Sequence, residues 1–167
     1  MKELSEALGV PVPQLSAIVE QAVEEWPGEC CGVIVGAAKP FGADPQRWAC
    51  RNLIDELHEA EPETYTRTSK DGFVIDPIRQ LEIDRHCRET GRDYYVFYHS
   101  HIDCDAYFSE EDQAAALFPF DEPNFPEAWH LVVSVYDRKP KAAFLCRWDP
   151  ETRTFPGRLF PLAEPAP

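Results

Sequence analysis

The residues with the clearest capacity for chemistry are two histidines one residue apart, His99 and His101, with Ser109 and Asp112 a short way downstream. Asp93 to Tyr98 is aromatic and β-branched and follows Gly91, so it predicts a strand running into the two histidines. Side chains alternate along a strand, which puts His99 and His101 on one face and Ser100 on the other. With a rise of roughly 3.3 Å per residue the two imidazoles stand about 7 Å apart at their backbones and can converge on one ion. A third donor must come from elsewhere. Ser109-Glu110-Glu111-Asp112, followed by Gln113 to Leu117, reads as a helix start with Ser109 as cap and Asp112 in the first turn. A loop from Ile102 to Phe108 could fold that turn back over the strand end and deliver the Asp112 carboxylate. Three protein donors leave a tetrahedral zinc one open position, where a water can sit; that is the arrangement of a catalytic zinc and suggests a hydrolase.

Taken singly, these features are ordinary. Ser-x-x-acid before an alanine run is a common capping pattern, and His-x-His on a strand can be a polar surface ladder. Their combination at a strand-to-helix junction is what points to chemistry.

With Glu29 far upstream, the set resembles the JAMM or MPN-plus zinc metalloproteases. Their motif is a distant Glu, then His-Ser-His, Ser and Asp at the spacing of His99, Ser100, His101, Ser109 and Asp112. Gly28-Glu29-Cys30-Cys31-Gly32 is similar to the family's Glu-x-Cys-Gly strand entry. Phe73 to Pro77, the helix after it and the strand into Tyr98 also look like a bacterial member, so the resemblance spans Trp26 to Tyr136. Ile102 and Phe108 stand where the family often has Pro.

The resemblance implies zinc held by His99, His101 and Asp112, with Glu29 and Ser109 as catalytic residues. Glu29 would act as general base and pass the proton to the leaving amine, and the Ser109 hydroxyl would stabilise an oxyanion. It also implies an α/β fold with a mixed, largely antiparallel curved sheet flanked by helices, deaminase-like in layout. The substrate class implied is a ubiquitin-like or sulfur-carrier protein, cut at a peptide or isopeptide bond at its C-terminal Gly-Gly tail. An extended Gly-rich tail suits a narrow groove, because no side chains obstruct it. Two other readings are a peptidoglycan or phage-tail endopeptidase and a non-catalytic MPN scaffold, a class marked by lost ligands that this chain keeps. A zinc deaminase is excluded because the paired cysteine ligands are missing.

The rest of the chain must position these groups. At 167 residues it is expected to be one domain, residues 1–167. Lys and Arg total 16 against 30 Asp and Glu, a formal net charge of −14. Such a surface repels phosphate backbones and argues against nucleic acid as a partner. No apolar run approaches about 18 residues, and Met1 to Glu6 is polar and acidic, so no membrane span or signal peptide is expected and the cytoplasm is the expected compartment. The six cysteines are scattered without a Cys-x-x-Cys pair, against a disulfide scaffold or zinc ribbon. Most should be small buried apolar residues, and Cys104 in the loop beside the histidines an ordinary loop thiol.

Leu15, Ile18, Val19, Ala22, Val23 and Trp26 predict a helix over Pro13–Trp26, ended by Pro27-Gly28. Cys31 to Gly36 predicts a strand buried on both faces. A turn over Lys39–Pro45 should lead to a second strand, Gln46–Ile54, in a hairpin with the first. Asp55–Asp71 reads as a mobile polar segment with a short strand at Thr64–Thr66 and a solvent-exposed His58, either a plain connection or a substrate-facing flap. Asp76–Thr90 predicts a helix with Ile78, Leu81, Ile83 and Cys87 as its apolar positions and His86 at a surface or interface. An irregular Phe118–Ala128 then precedes strands over Trp129–Tyr136, carrying a structural His130, and Lys141–Trp148. Thr152–Phe160 should add an edge strand before a Pro-rich tail.

Overall fold

Six strands form a mixed sheet in the order β2-β1-β3-β4-β5-β6: β1 (Cys31–Ala38), β2 (Phe41–Cys50), β3 (Arg92–Ile102), β4 (Trp129–Tyr136), β5 (Lys139–Arg147) and β6 (Gly157–Pro161). Five helices among the described residues flank it: α1 (Lys2–Leu8), α2 (Val12–Glu24), α3 (Ile54–Ala60), α4 (Pro77–Thr90) and α5 (Glu110–Leu117). The structure, a computed structural model, describes residues 1–162, so the Pro-rich tail lies almost wholly outside the described residues. The mixed, largely antiparallel sheet flanked by helices is the architecture expected from the sequence.

Of the five strand pairings among the described residues, only β3 with β4 is parallel. Parallel neighbours require a long crossover, because the chain must return to the starting end of the sheet. Here that crossover holds α5 and the irregular stretch after it, which sets the first turn of α5 beside the end of β3. The position of the third candidate ligand is therefore a consequence of topology.

The two faces of the sheet carry separate cores. Leu4, Leu8, Leu15, Ile18 and Ala22 of α1 and α2 pack on Ile34, Val96, Tyr98, Leu131, Val133 and Leu145. On the other face Ile83 and Cys87 of α4 pack on Cys31, Val33, Val35 and Tyr94. A register shift between Ile34 and Val35 skips Tyr95 in the pairing of β1 with β3. That bulge lets Tyr94 join the α4 face while Tyr95 packs on the α2 face, and it sets the alternation that carries Phe97, His99 and His101 to one side. Gly32 faces Tyr98 in register, and a Cβ there would stand 2.3 Å from the Tyr98 hydroxyl, so only glycine admits this ring.

Several boundaries differ from the sequence reading. The turn between β1 and β2 is confined to Lys39 and Pro40, and β2 begins at Phe41 and ends at Cys50. Pro45 is tolerated because β2 is an edge strand with an irregular register beside it. Residues 54–60 are helical, and no strand forms at Thr64–Thr66. His58 is half-buried rather than exposed, its Nδ1 2.6 Å from the Tyr65 carbonyl. In α4, capped by Asp76 and stopped by Gly91 at φ 66°, Ile83 and Cys87 face the sheet while Ile78 and Leu81 are 70% and 65% exposed. They stand on the opposite side of the helix from the 83/87 pair, so half of the expected apolar face is solvent-facing. The helix α1 adds Leu4 and Leu8, one turn apart, to the core.

Candidate metal centre

β3 enters the sheet's interior between β1 and β4, so its last turns of pleat are buried: His99 and His101 are 4% and 5% exposed. Their Nε2 atoms approach to 3.3 Å. The Asp112 carboxylate reaches them from α5, with Oδ2 3.4 Å from His99 Nε2 and 3.6 Å from His101 Nε2. Three nitrogen and oxygen donors facing one point, from two elements, could hold a metal ion, which a surface ladder could not.

Each donor is held in orientation by a further contact. His101 Nδ1 lies 3.0 Å from the Asp105 carbonyl, so the proton belongs on Nδ1 and Nε2 is left as a lone-pair donor. His99 stacks on Phe73 with ring centroids 4.7 Å apart. Asp112 sits in a full capping box: Ser109 N and Oγ both donate to its Oδ2, at 2.9 and 2.7 Å, and Asp112 N donates back to Ser109 Oγ at 3.0 Å. Burial opposes the Asp112 charge, yet the facing His101 and His99 imidazoles and the Ser109 hydroxyl outweigh it and hold the carboxyl far below the usual carboxylate range. Burial lowers the His99 pKa, keeping it neutral. At His101 burial also disfavours the charge, but Asp112 and the Asp105 carbonyl outweigh it and raise the pKa. An ionised carboxylate and a neutral imidazole are the forms a divalent zinc requires, and the second imidazole is pulled towards charge by the same carboxylate a cation would engage. The donor set fits zinc.

Glu29 lines the same cavity as the three donors, at the entrance of β1, and is 6% exposed. Burial, opposed by His101 and assisted by Asp112, pushes its pKa up to about 8. Its backbone is fixed twice: Glu29 N donates to the Ser69 carbonyl at 2.5 Å, and Asn52 Nδ2 donates to the Glu29 carbonyl at 3.0 Å. Asn52 Nδ2 also reaches the Gly72 carbonyl, and its Oδ1 accepts from Val74 and Ile54. One amide thus ties the start of α3, Glu29 and the Phe73 segment together. Ser100, facing away from the site, closes the frame, since Cys30 N donates to its Oγ at 2.8 Å.

The segment after α3 flanks the cavity. Asp55 accepts from Ser69 N and Oγ, both at 2.6 Å, and Arg67 pairs with Glu111 of α5 at 2.7 Å across the mouth. The flap expected between Asp55 and Asp71 is therefore tethered at both ends. Arg67, Phe73 and His130 line the cavity and Asn52 supports Glu29 from outside it, and sequence reading does not place them because each acts through tertiary contacts. The structural His130 instead faces the cavity from β4, with its pKa lowered to about 4 by burial and then by His99. Cys104 is half-buried in the loop, its carbonyl accepting from Ser134 Oγ at 2.7 Å.

Residues 11–147 match the family model described as prokaryotic homologs of the JAB domain. The chain belongs to this family. The match covers both the Glu29 strand entry and the His99, His101, Ser109, Asp112 set. This JAB-domain chain is also similar in fold to a solution structure of a protein from Desulfitobacterium hafniense, with a TM-score of 0.58 and 20% identity over 88% of this chain and 86% of that one. A solution structure of a protein from Salinibacter ruber matches with a TM-score of 0.56 and 22% identity over 94% and 91%. No curated protein matches the chain. No helix among the described residues is long and apolar enough to cross a membrane.

Proposed function

We propose that this JAB-domain protein is a zinc-dependent hydrolase of a peptide or isopeptide bond. Its substrate is a ubiquitin-like or sulfur-carrier protein, cut at the C-terminal Gly-Gly tail. The observation that supports it most is the pairing of a convergent His99, His101 and Asp112 set with a buried, protonatable Glu29 in one cavity of about 390 Å³. Zinc, if bound by His99, His101 and Asp112, would supply a Lewis acid and lower the pKa of a water there towards ~7.

Glu29 handles the proton. A nearby cation favours its carboxylate form, so it accepts a proton from the attacking water at its side-chain oxygen. The same carboxyl, now carrying that proton, then gives it to the leaving amine nitrogen. Asn52 and Ser69 keep the Glu29 backbone in place between the two transfers. Ser109 orients Asp112 in the resting site, and its hydroxyl reaches a developing oxyanion by turning away from that carboxylate. Arg67 and Glu111 of α5, paired with each other, both line the cavity, and an extended tail without side chains would be the least obstructed ligand there.

The test is to incubate the zinc-loaded protein with a ubiquitin-like protein carrying a C-terminal extension after Gly-Gly and to follow products by mass spectrometry. A single cut after the second Gly is expected. An intact substrate beside stoichiometric zinc would refute the substrate assignment.

A further inference from the structure

Beyond the metal-binding donors the cavity continues along the sheet as a second compartment of different chemistry. Phe97 stands two residues before His99 on β3, on the same face and about 7 Å along the strand. His130 is its neighbour in the parallel register of β4, and the two rings stack with centroids 5.8 Å apart. Phe125 packs on Phe97 at 5.2 Å, and Phe108 packs on His130 at 4.6 Å. All four line the cavity that holds His99, His101 and Asp112.

The facing wall is α5. Ala115 and Ala116 follow Asp112 by three and four residues, so they lie on the helix face that carries the carboxylate, and both line the cavity. Any larger side chain there would fill the space they leave. The compartment therefore has aromatic walls and room opposite them. Asn124, beside Phe125, also lines the cavity, with its Nδ2 donating to the Phe118 carbonyl. The His130 ring nitrogens have no hydrogen-bond partner among the described residues and are not sealed from the cavity. An imidazole set among aromatic rings selects a ligand that is aromatic in body and polar at its tip.

We propose that this compartment is a specificity pocket for an aromatic side chain, tyrosine by preference, on the residue that follows the scissile bond. The inference rests on the hydrolase reading above, in which Gly-Gly forms the acyl side. Glycines have no side chain to place in a pocket, so the compartment falls to the leaving residue, whose side chain starts one residue from the bond being cut. The spacing of Phe97 from His99 along β3 matches that reach. Such a pocket favours a peptide extension over an isopeptide-linked lysine, which carries no ring.

The test separates this pocket from the hydrolase reading. Four capped peptides, Gly-Gly followed by Gly, Leu, Phe or Tyr, are titrated calorimetrically into the zinc-loaded, full-length Glu29→Gln protein. The same four extensions on a ubiquitin-like protein are given to wild type. Phe and Tyr should bind about tenfold or more tightly than Gly, in keeping with burial of a ring, with Tyr above Phe, and kcat/KM should follow that order. Ala115→Trp, at an exposed helix position, should bring the four peptides to parity with zinc retained. His130→Phe should keep Phe binding and abolish the margin of Tyr over Phe. Equal binding of the four, or binding of none, overturns the pocket. An aromatic order in binding without cleavage of any substrate overturns the hydrolase reading alone and leaves the pocket standing.

Discussion

Asp112 has two tasks with one carboxylate: its Oδ2 closes the capping box of α5 and also faces both imidazoles. Ser109 links the tasks, because losing its hydroxyl removes a cap and a hydrogen bond that aims the ligand. Ser109→Ala should therefore lower stability by about 1 kcal/mol and weaken zinc binding by roughly 10- to 100-fold, read by denaturant titration and a competitive zinc chelator. Ser109→Thr should recover most of the stability, since threonine caps nearly as well. A variant that loses stability with zinc affinity unchanged would show the capping box to be structural only. At this scale the sequence was informative where the site is local. His99, His101, Ser109 and Asp112 fall within one strand, loop and helix start, so alternation and capping rules reach them. A lone Glu before a strand looks like a solvated end residue, and only the family resemblance marked Glu29; its backbone is held by Ser69 and Asn52, whose contacts join distant parts of the chain.

The elements behave differently. β1, β3 and β4 were legible because β-branched and aromatic runs without turn residues have few alternatives, and α4 was legible from Asp76-Pro77 and Gly91. The outer elements were harder to read. Leu4 and Leu8 are a single i, i+4 pair in an acidic stretch, too little periodicity to outweigh its polarity. Pro45 imitates a turn residue inside an edge strand. Ile78 and Leu81 supply apolar residues at positions that the packed helix turns outward. The close approach of β1 and β3 depends on Gly32, and Tyr98 is anchored from behind, donating to Gln21 Oε1 at 2.7 Å. Because the ring is held there, Gly32→Ala forces strand or ring to shift. It should destabilise the protein by about 1–3 kcal/mol in urea denaturation, while His99, one residue further along β3, is displaced enough to weaken zinc binding. Wild-type stability in that variant would mean the ring moves freely and the glycine is not required.

For the molecule as a whole, burying Glu29 has a cost that depends on pH. Without a metal, burial keeps its carboxyl protonated in the folded protein up to about pH 8, whereas its ordinary pKa is 4.5. Folding therefore favours the protonated form: the contribution is fully present below pH 4.5 and is lost as pH rises through 8. Metal-free wild type should lose stability relative to metal-free Glu29→Gln across that window, by at most about 1.4 kcal/mol per pH unit. Denaturation midpoints at pH 5, 6, 7 and 8 would show it as a growing gap, and parallel curves would contradict the buried, neutral carboxyl. The excess of 30 acidic over 16 basic residues adds a general repulsion as pH rises, which is why the comparison is with the variant and not with absolute stability. Overall topology was legible only in class: hairpins and helices pointed to a mixed sheet, but the strand order and the single parallel pairing rest on contacts between distant segments.

The most direct measurement is zinc content and turnover side by side in wild type, Glu29→Gln and Asp112→Ala, each purified without chelator and given the Gly-Gly-extended ubiquitin-like protein. One zinc per chain in wild type and Glu29→Gln, depleted zinc in Asp112→Ala and cleavage by wild type alone are the expected results. Zinc absent from wild type would contradict the metal centre and favour a non-catalytic scaffold, and cleavage by Glu29→Gln would remove Glu29 from its place as the base.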